Sequence, residues 1–505
     1  MPFSKKIVSF EDSARKALFC LGLIAAIVAV HQLLMTTWMF LGGVHSMNAP
    51  YFWVIGRAWM NGLEPYMDIF EPKPPAIFLL SAVSLLLFQS YAAGFALSIV
   101  ILWAVPSTLV LSAKEYGKMW MLLGWLYGSM IVLYMAKAAG AWETEYFGAF
   151  FGILYVLAAK KFPHFLLLTL LLFFSIGFKE PFFLVLLSSA ILLFPEPKIF
   201  RDRFLFPFIT AAAIGTLLLV LLHIFDGYTG LYLTSIFEHR VFQNSPVWLR
   251  GFQFIKIWGH LAGTNVVLPF SIGAIAVCTV RNIPSVIRLF VGFFLTITAV
   301  GIASDWQGHH FIFAVPLYAA LFLCAAGNIH KYAWESRVVT MLLAITSLTI
   351  AYPPSLISVK EANRMIDANA LLTSESQANA AVIDSILTAC AIDRYFFLQE
   401  PSVMLAYTQH SPLNFFPYTL FEHLLRYHPA IKEKSIENLD KAEIVFVYGD
   451  AYVPSSSVAL EREFGDLMNR YLAQNYTKEA PACARPFLPF HKHHVLFKID
   501  TQVSL

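Results

Sequence analysis

The chain has 505 residues, 58% hydrophobic and only 13% charged, with a mean hydropathy of +0.65. Soluble domains carry about a quarter charged residues, so an ordinary soluble enzyme is excluded and a polytopic α-helical membrane protein is expected. A net charge of +3 is too small to argue for a nucleic-acid partner.

Apolar stretches predict spans at 17–41, 92–112, 119–135, 144–159, 162–177, 181–195, 204–223, 264–280, 288–304, 310–327 and 337–352. The first is too long for a signal-peptide core and lacks a small-residue cleavage site, so it reads as a span that also targets the protein. Between the first two spans lies a polar island, Asn48 to Pro75, holding Arg57, Glu64, Asp68, Glu71 and Lys73. Pro72, Pro74 and Pro75 forbid a helix through its second half. Its first half, Tyr51 to Met60, suits a helix lying in the membrane interface. Segment 76–88 is short and reads either as a span or as an interfacial helix.

Charge arbitrates between the two. If 76–88 does not cross and the N-terminus is cytoplasmic, Lys5, Lys6, Arg15, Lys16, Lys114, Lys118, Lys160, Lys161, Lys198, Arg201, Arg203, Arg281, Arg288, Lys331 and Arg337 all fall inside. If it crosses, that bias is lost. About eleven spans follow, with the polar clusters on the outer face: Asp68/Glu71/Lys73, Glu143/Glu145, Lys179/Glu180, Glu238/His239/Arg240 and Asp305/His309/His310. Residues 1–352 form the membrane domain, with outer loops 42–91 and 224–263; the second is read either as a gating or substrate loop or as an amphipathic cap.

Composition changes after residue 352, and 353–505 is expected to be a soluble α/β domain on the outer, periplasmic face. Helices are expected at Ser374 to Cys390, Tyr418 to Tyr427 and Val458 to Leu472, with strands at Arg394 to Leu398, Ala442 to Tyr448 and His494 to Ile499. No GxGxxG or P-loop pattern appears in it, so no nucleotide is assigned. Of five cysteines, Cys20, Cys278 and Cys324 lie in apolar spans and read as buried packing residues. Cys390 and Cys483 lie in the polar part and are either a disulfide, if that part faces an oxidising compartment, or two unrelated thiols.

The run Gly62-Leu-Glu-Pro-Tyr66-Met-Asp68, followed by Lys73-Pro74-Pro75, resembles the first outer loop of GT-C membrane glycosyltransferases. It is most similar to the bacterial branch related to protein mannosyltransferases and the lipid A aminoarabinose transferase, apart from an inserted Glu64. Glu143-Thr144-Glu145, Lys179-Glu180-Pro181 and His309-His310 before Pro316 resemble later, weaker motifs of the same family. The resemblance covers roughly 17–352 and implies a GT-C-like fold. The implied activity is inverting transfer of a sugar from a polyprenyl-phosphate donor to an envelope lipid, glycan or protein, at the periplasmic face of the bacterial inner membrane. One position departs: where the family carries an aspartate regarded as catalytic base, this chain has Asn48. Either Asp68 or Glu71 has taken that role, or the register differs, or the activity is weak or different.

The chemistry asks for a carboxylate to take the acceptor proton, cations to neutralise the departing phosphate and an apolar groove for the prenyl tail. Asp68, then Glu71, are the base candidates; the alternative is that Asp68 pairs with Lys73 or Arg57 to hold the loop. Lys73, Arg57, Lys179, His309 and His310 are the phosphate candidates, against loop-locking pairs, a snorkelling arginine, a Lys179–Glu180 pair and an interfacial histidine pair. Glu143 and Glu145 would point to different faces of a helix, one orienting the acceptor or a metal and the other capping the helix. A divalent metal is compatible with these residue types, but no spacing demands one and no cofactor is assigned. Two competing readings stand beside the enzyme: a transporter or flippase of a lipid-linked molecule, for which clear repeats are missing, and an inactive GT-C-like scaffold, which Asn48 keeps open.

Overall fold

The computed structural model describes residues 2–46, 48–71, 73–233, 283–303, 308–329, 357–398, 403–415, 429–448, 459–488 and 493–499. The expected spans 264–280 and 337–352, the residues Glu238, His239, Arg240 and Asp305, and the expected helix Tyr418 to Tyr427 lie outside them. Helices dominate: α1 (Pro2–Leu41), α2 (Ala49–Met60), α3 (Pro75–Phe88), α4 (Ala92–Ala113), α5 (Lys118–Ala139), α6 (Thr144–Lys161), α7 (Phe165–Phe178) and α8 (Phe182–Leu193). They are followed by α9 (Pro197–Leu221), which includes a π-turn over Arg201–Leu205, and by α10 (Ile283–Ala303) and α11 (Val315–Ile329). The C-terminal part holds α12 (Val359–Ala389), α13 (Pro429–Lys441) and α14 (Ala459–Asn475).

Among the described residues four helical stretches are long and apolar enough to cross a membrane: Gly22–Leu41, Ala92–Tyr116, Lys118–Ala139 and Pro197–Leu221. Shorter apolar helices accompany them, including Pro75–Phe88, Phe165–Phe178 and Phe182–Leu193. The contacts divide the chain into two compact units that are discontinuous in sequence. The first comprises Met1–Ser46, Gly94–Leu217 and Ser245–Ile366; the second comprises Met47–Ala93, Leu218–Asn244 and Asp367–Leu505.

In the first unit, small residues and hydroxyls join the helices, as expected where apolar packing alone does not select a partner. Gly148 and Gly152 lie one turn apart on α6, and a Cβ on either would come within 3.2 Å of Ser175. That closeness lets the Ser175 hydroxyl donate to the Gly148 carbonyl at 2.8 Å, tying α7 to α6. Likewise Ser188 Oγ on α8 donates to the Gly292 carbonyl of α10 at 2.6 Å. Gln32 of α1 exchanges two hydrogen bonds with the Ile357 backbone, of 3.3 and 3.0 Å, and Trp38 Nε1 donates to Asn363 Oδ1 at 3.0 Å. Cys20, expected to be buried, is instead exposed on α1, and Cys324 is half-buried; a span facing lipid has a rim that the helical core does not cover.

Among the described residues of the second unit, four strands form one sheet in the order β1-β2-β4-β3: β1 (Tyr395–Leu398), β2 (Ile444–Tyr448), β3 (Tyr476–Thr477) and β4 (His493–Lys498). β1 pairs parallel to β2, with Tyr395 opposite Ile444, and β4 runs antiparallel to both β2 and β3. All four residues of β1 are buried, matching a short apolar run covered on both faces. Asn414 locks the outer side of β1: its Oδ1 accepts from Phe397 N at 2.8 Å and its Nδ2 donates to Phe397 O at 2.6 Å. A disulfide joins Cys390, just after α12, to Cys483, with Cα atoms 5.3 Å apart.

The polar island belongs to this second unit. Phe70 N donates to Phe415 O at 2.5 Å and the two rings stack with centroids 6.0 Å apart. Arg57 Nε and the Tyr91 hydroxyl both donate to the Ala406 carbonyl, at 3.1 and 2.7 Å. Asn61 Nδ2 donates to Gln409 O and to Ser411 Oγ, each at 3.0 Å.

Candidate functional site

The sequence-predicted residues fall into two groups, one in each unit. The first is the loop from Gly62 to Pro75. α2 ends because Gly62 takes φ +87°, a left-handed conformation that needs no Cβ, while Leu63 N returns to Ala58 O at 3.0 Å. The next residues close a tight turn. Asp68 N donates to Glu64 O at 2.8 Å, and Asp68 Oδ2 accepts from Glu64 N at 2.8 Å. At its centre Tyr66 holds φ +71°, an uncommon value for a residue with a side chain. Burial sustains it: Tyr66 is fully buried among Phe70, Phe78, Tyr228 and Tyr232, with ring centroids 5.6 to 6.5 Å away. Its hydroxyl donates to the Lys73 carbonyl at 2.7 Å, so one ring fixes both ends of the motif. Pro74 is then extended, and Pro75 opens α3 at a position where a missing N–H costs nothing.

The turn sets where each charge goes. Asp68 stays half-buried, whereas Glu71 is only 3% exposed. Lys73 Nζ lies 3.5 Å from Glu71 Oε1, so the lysine's partner here is Glu71. Asp68 holds the loop through the Glu64 backbone, a contact different from the alternative pairing with Lys73 or Arg57. Arg57 braces α2 against Ala406. Asn48 is the N-cap residue of α2, with φ −87° and ψ −17°; its carbonyl accepts from Tyr51 N, and its side chain makes no capping hydrogen bond.

The second group lies in the helical unit. Residues 162–164 alone join α6 to α7, so the two run antiparallel and the N-terminus of α6 meets the C-terminus of α7. Helix ends carry opposite partial charges, which favour an acid at the first and a base at the second. The chain supplies both. Glu145 in the first turn of α6 and Lys179 at the C-cap of α7 pair at 3.1 Å, with side chains 2% and 3% exposed. His310, in the 3-10 turn Gly308–Ala314 before α11, brings Nδ1 to 3.8 Å from the same Glu145 Oε1. Glu143 caps α6, its Oε1 accepting from Thr144 N at 3.3 Å. The Thr144 hydroxyl donates to Glu145 Oε2 at 2.6 Å, so the two acids share one residue between them. Lys179 thus pairs with Glu145 across the helix ends, a contact that its neighbour Glu180 gave no hint of in the sequence. The His309 side chain lies outside the described residues.

This is a buried, charged cluster at the ends of apolar helices. The 14-residue α7 reaches about 21 Å, short of the roughly 30 Å of a bilayer core. A lysine at such a depth is expensive without a function or a partner. Chemically, the cluster offers an ammonium and an imidazole beside a carboxylate. Among the described residues no three His, Cys, Asp or Glu side chains are arranged to hold a metal ion.

Two residues quoted in the motifs but given no role there carry the geometry: Tyr66, which anchors the loop, and Thr144, which bridges the glutamates. Both stand inside quoted motifs: Thr144 as a hydroxyl between two acids and Tyr66 as the aromatic of the loop motif. The anchoring role of Tyr66 was not visible, because it depends on Tyr228 and Tyr232, which are far away in sequence.

No family model matches the chain, and no curated protein does. Among solved structures the chain is similar to the crystal structure of ArnT from Cupriavidus metallidurans bound to undecaprenyl phosphate. That similarity covers 93% of this chain and 97% of that one, at 10% sequence identity and a TM-score of 0.49.

Proposed function

We propose that the protein is an inverting glycosyltransferase that moves a sugar from a polyprenyl-phosphate donor to a cell-envelope acceptor. The observation that carries the reading is the loop Gly62–Pro75. Its sequence resembles the first outer loop of the GT-C enzymes, and its fold keeps an acid within reach of solvent near a buried Glu71 paired with half-buried Lys73. In the proposed reaction the acceptor oxygen attacks the anomeric carbon as the bond from that carbon to the phosphate oxygen breaks. Asp68 takes the acceptor proton and the prenyl phosphate leaves as an anion. Exposure supports Asp68 as the base: it is half-buried and can meet an acceptor hydroxyl, whereas Glu71 at 3% exposure cannot without moving and instead orients Lys73. Lys73 neutralises the leaving phosphate. Lys179, paired with Glu145, supplies buried positive charge in the helical unit, and the His310 imidazole lies 3.8 Å from the same carboxylate.

The N-terminus lies in the cytoplasm and the C-terminal domain outside. Two observations support this: the basic bias of the predicted inner loops and the Cys390–Cys483 disulfide, a bond that persists in oxidising compartments.

The test is sugar transfer by purified protein in detergent, using a panel of polyprenyl-phosphate sugars and envelope extracts as acceptors. Wild type transfers sugar, Asp68→Asn abolishes transfer and Glu71→Gln weakens it. Transfer that survives Asp68→Asn moves the base elsewhere. If wild type is inert with every donor and Asn48→Asp gains activity, the protein is a degenerate relative rather than an enzyme.

A further inference from the structure

The second unit contains a feature that the catalytic reading does not use: an open cleft of about 690 Å³ along α12. Pockets that take small organic ligands run to roughly 300–1,000 Å³. Gln377, Ala381 and Ser385 lie four residues apart and so share one face of α12, forming a floor of small and polar groups. Tyr407 and Phe487, both half-buried, line the walls.

The walls are held independently of any ligand. Asp384 accepts twice from Gln409 N, at 3.0 and 2.9 Å, with His410 Nδ1 3.4 Å away, which fixes the segment carrying Tyr407. The Tyr407 ring meets Tyr91 edge-on at 6.3 Å. Phe487 ends the short turn Arg485–Phe487. The disulfide ties Cys483, just before that turn, to Cys390 at the end of α12. A site whose walls are already fixed loses little entropy on binding.

The lining chemistry narrows the ligand. Two ring faces can each cover the C–H face of a sugar. A carboxylate, two amides and two hydroxyls, from Asp384, Gln377, Gln409, Ser385 and Thr388, match hydroxyl groups that both donate and accept. Among the described lining residues there is no lysine or arginine, and Asp384 repels anions. We infer that this cleft binds a short, uncharged oligosaccharide. The binding site stands without the catalytic proposal; its role in holding the acceptor glycan rests on that proposal.

The experiment uses the full chain in lipid nanodiscs, screened against immobilised neutral and acidic oligosaccharides, with affinities then measured by titration. Ala381 is exposed, so Ala381→Trp fills the floor without removing a packed side chain. Neutral glycans should bind wild type and bind Ala381→Trp at least tenfold more weakly. Gln377→Ala, also at an exposed position, should weaken binding about threefold or more with an unchanged melting temperature. The inference is overturned if no neutral glycan binds, if binding selects acidic glycans or phospholipid headgroups, or if Ala381→Trp binds like wild type. Because binding needs no turnover, the two failures separate. Glycan binding without transfer removes the catalytic reading and leaves the cleft; transfer with binding indifferent to Ala381→Trp does the reverse.

Discussion

Replacing Lys179 by methionine tests whether the buried cluster is as desolvated as its geometry says. The two charges are 3.1 Å apart with side chains 3% and 2% exposed. At an effective dielectric of about 20 their gross attraction is roughly 5 kcal/mol. Desolvation costs several kcal/mol per ion, so the net worth of the pair is small. Removing only one partner is different, because it leaves an uncompensated charge in an apolar site, at a cost of about 3–5 kcal/mol. Lys179→Met should therefore lower stability by about that amount, while Glu145→Gln with Lys179→Met should be close to wild type. The assay is reversible unfolding in mixed detergent–lipid micelles across the four proteins of the cycle. A coupling above about 2 kcal/mol is expected for groups in such contact. Additive single effects, each below about 0.5 kcal/mol, would refute the reasoning, since that is how an exposed pair behaves. If the ammonium also serves the leaving phosphate, the double variant refolds fully yet transfers sugar poorly.

Three further outcomes follow from other parts of the molecule. The disulfide closes a loop with a sequence separation of 93, and such a cross-link stabilises by about 2–5 kcal/mol; Cys390→Ser should lower the unfolding midpoint of the full chain, and reductant should have no further effect on that variant. A Cβ at Gly94 would lie 2.1 Å from the indole of fully buried Trp142, so Gly94→Ala should cost about 1–3 kcal/mol in thermal melts, and Trp142→Phe in the same chain should restore part of it. Burial pushes the pKa of His45 below its ordinary 6.5, partly opposed by its hydrogen bond with the Ser46 carbonyl. The unfolded chain then binds the proton better, so this contribution is intact above pH 6.5 and is lost as pH falls through the lowered value; His45→Gln should flatten the stability profile in that window.

The apolar spans were legible because period and length are local properties. α4 and α5 sit within a few residues of the expected 92–112 and 119–135, and α9 covers most of the expected 204–223 but starts seven residues earlier, at Pro197. The strand at Ala442 to Tyr448 was legible for the same reason, as a β-branched run bounded by polar residues; it appears as β2, Ile444–Tyr448. Partners were not legible. Lys179 stands beside Glu180 in sequence but pairs with Glu145, because the antiparallel α6–α7 turn brings helix ends together across 34 residues. The polar island gave up its turns and prolines to inspection. Its anchoring on Ala406 and Phe415 depends on contacts across some 350 residues, which no local pattern carries.

Asn48 bears on the chemistry through this same loop. An amide cannot take a proton, so any base near this end of the chain has to come from another residue. The Gly62 break and the Tyr66 anchor together force a turn at Glu64–Asp68. That turn keeps Asp68 half-buried while Glu71, three residues on, is buried and pairs with half-buried Lys73. A loop with only one acid would have to use it either to orient the lysine or to take the proton. The two acids here, held at different depths, can divide those tasks. The division predicts different kinetics for the two variants: Asp68→Asn lowers kcat, whereas Glu71→Gln keeps kcat and raises the apparent KM for the phosphate-bearing donor. If both variants changed only KM, neither acid would be the base, and the proton would have to leave through a residue outside this loop.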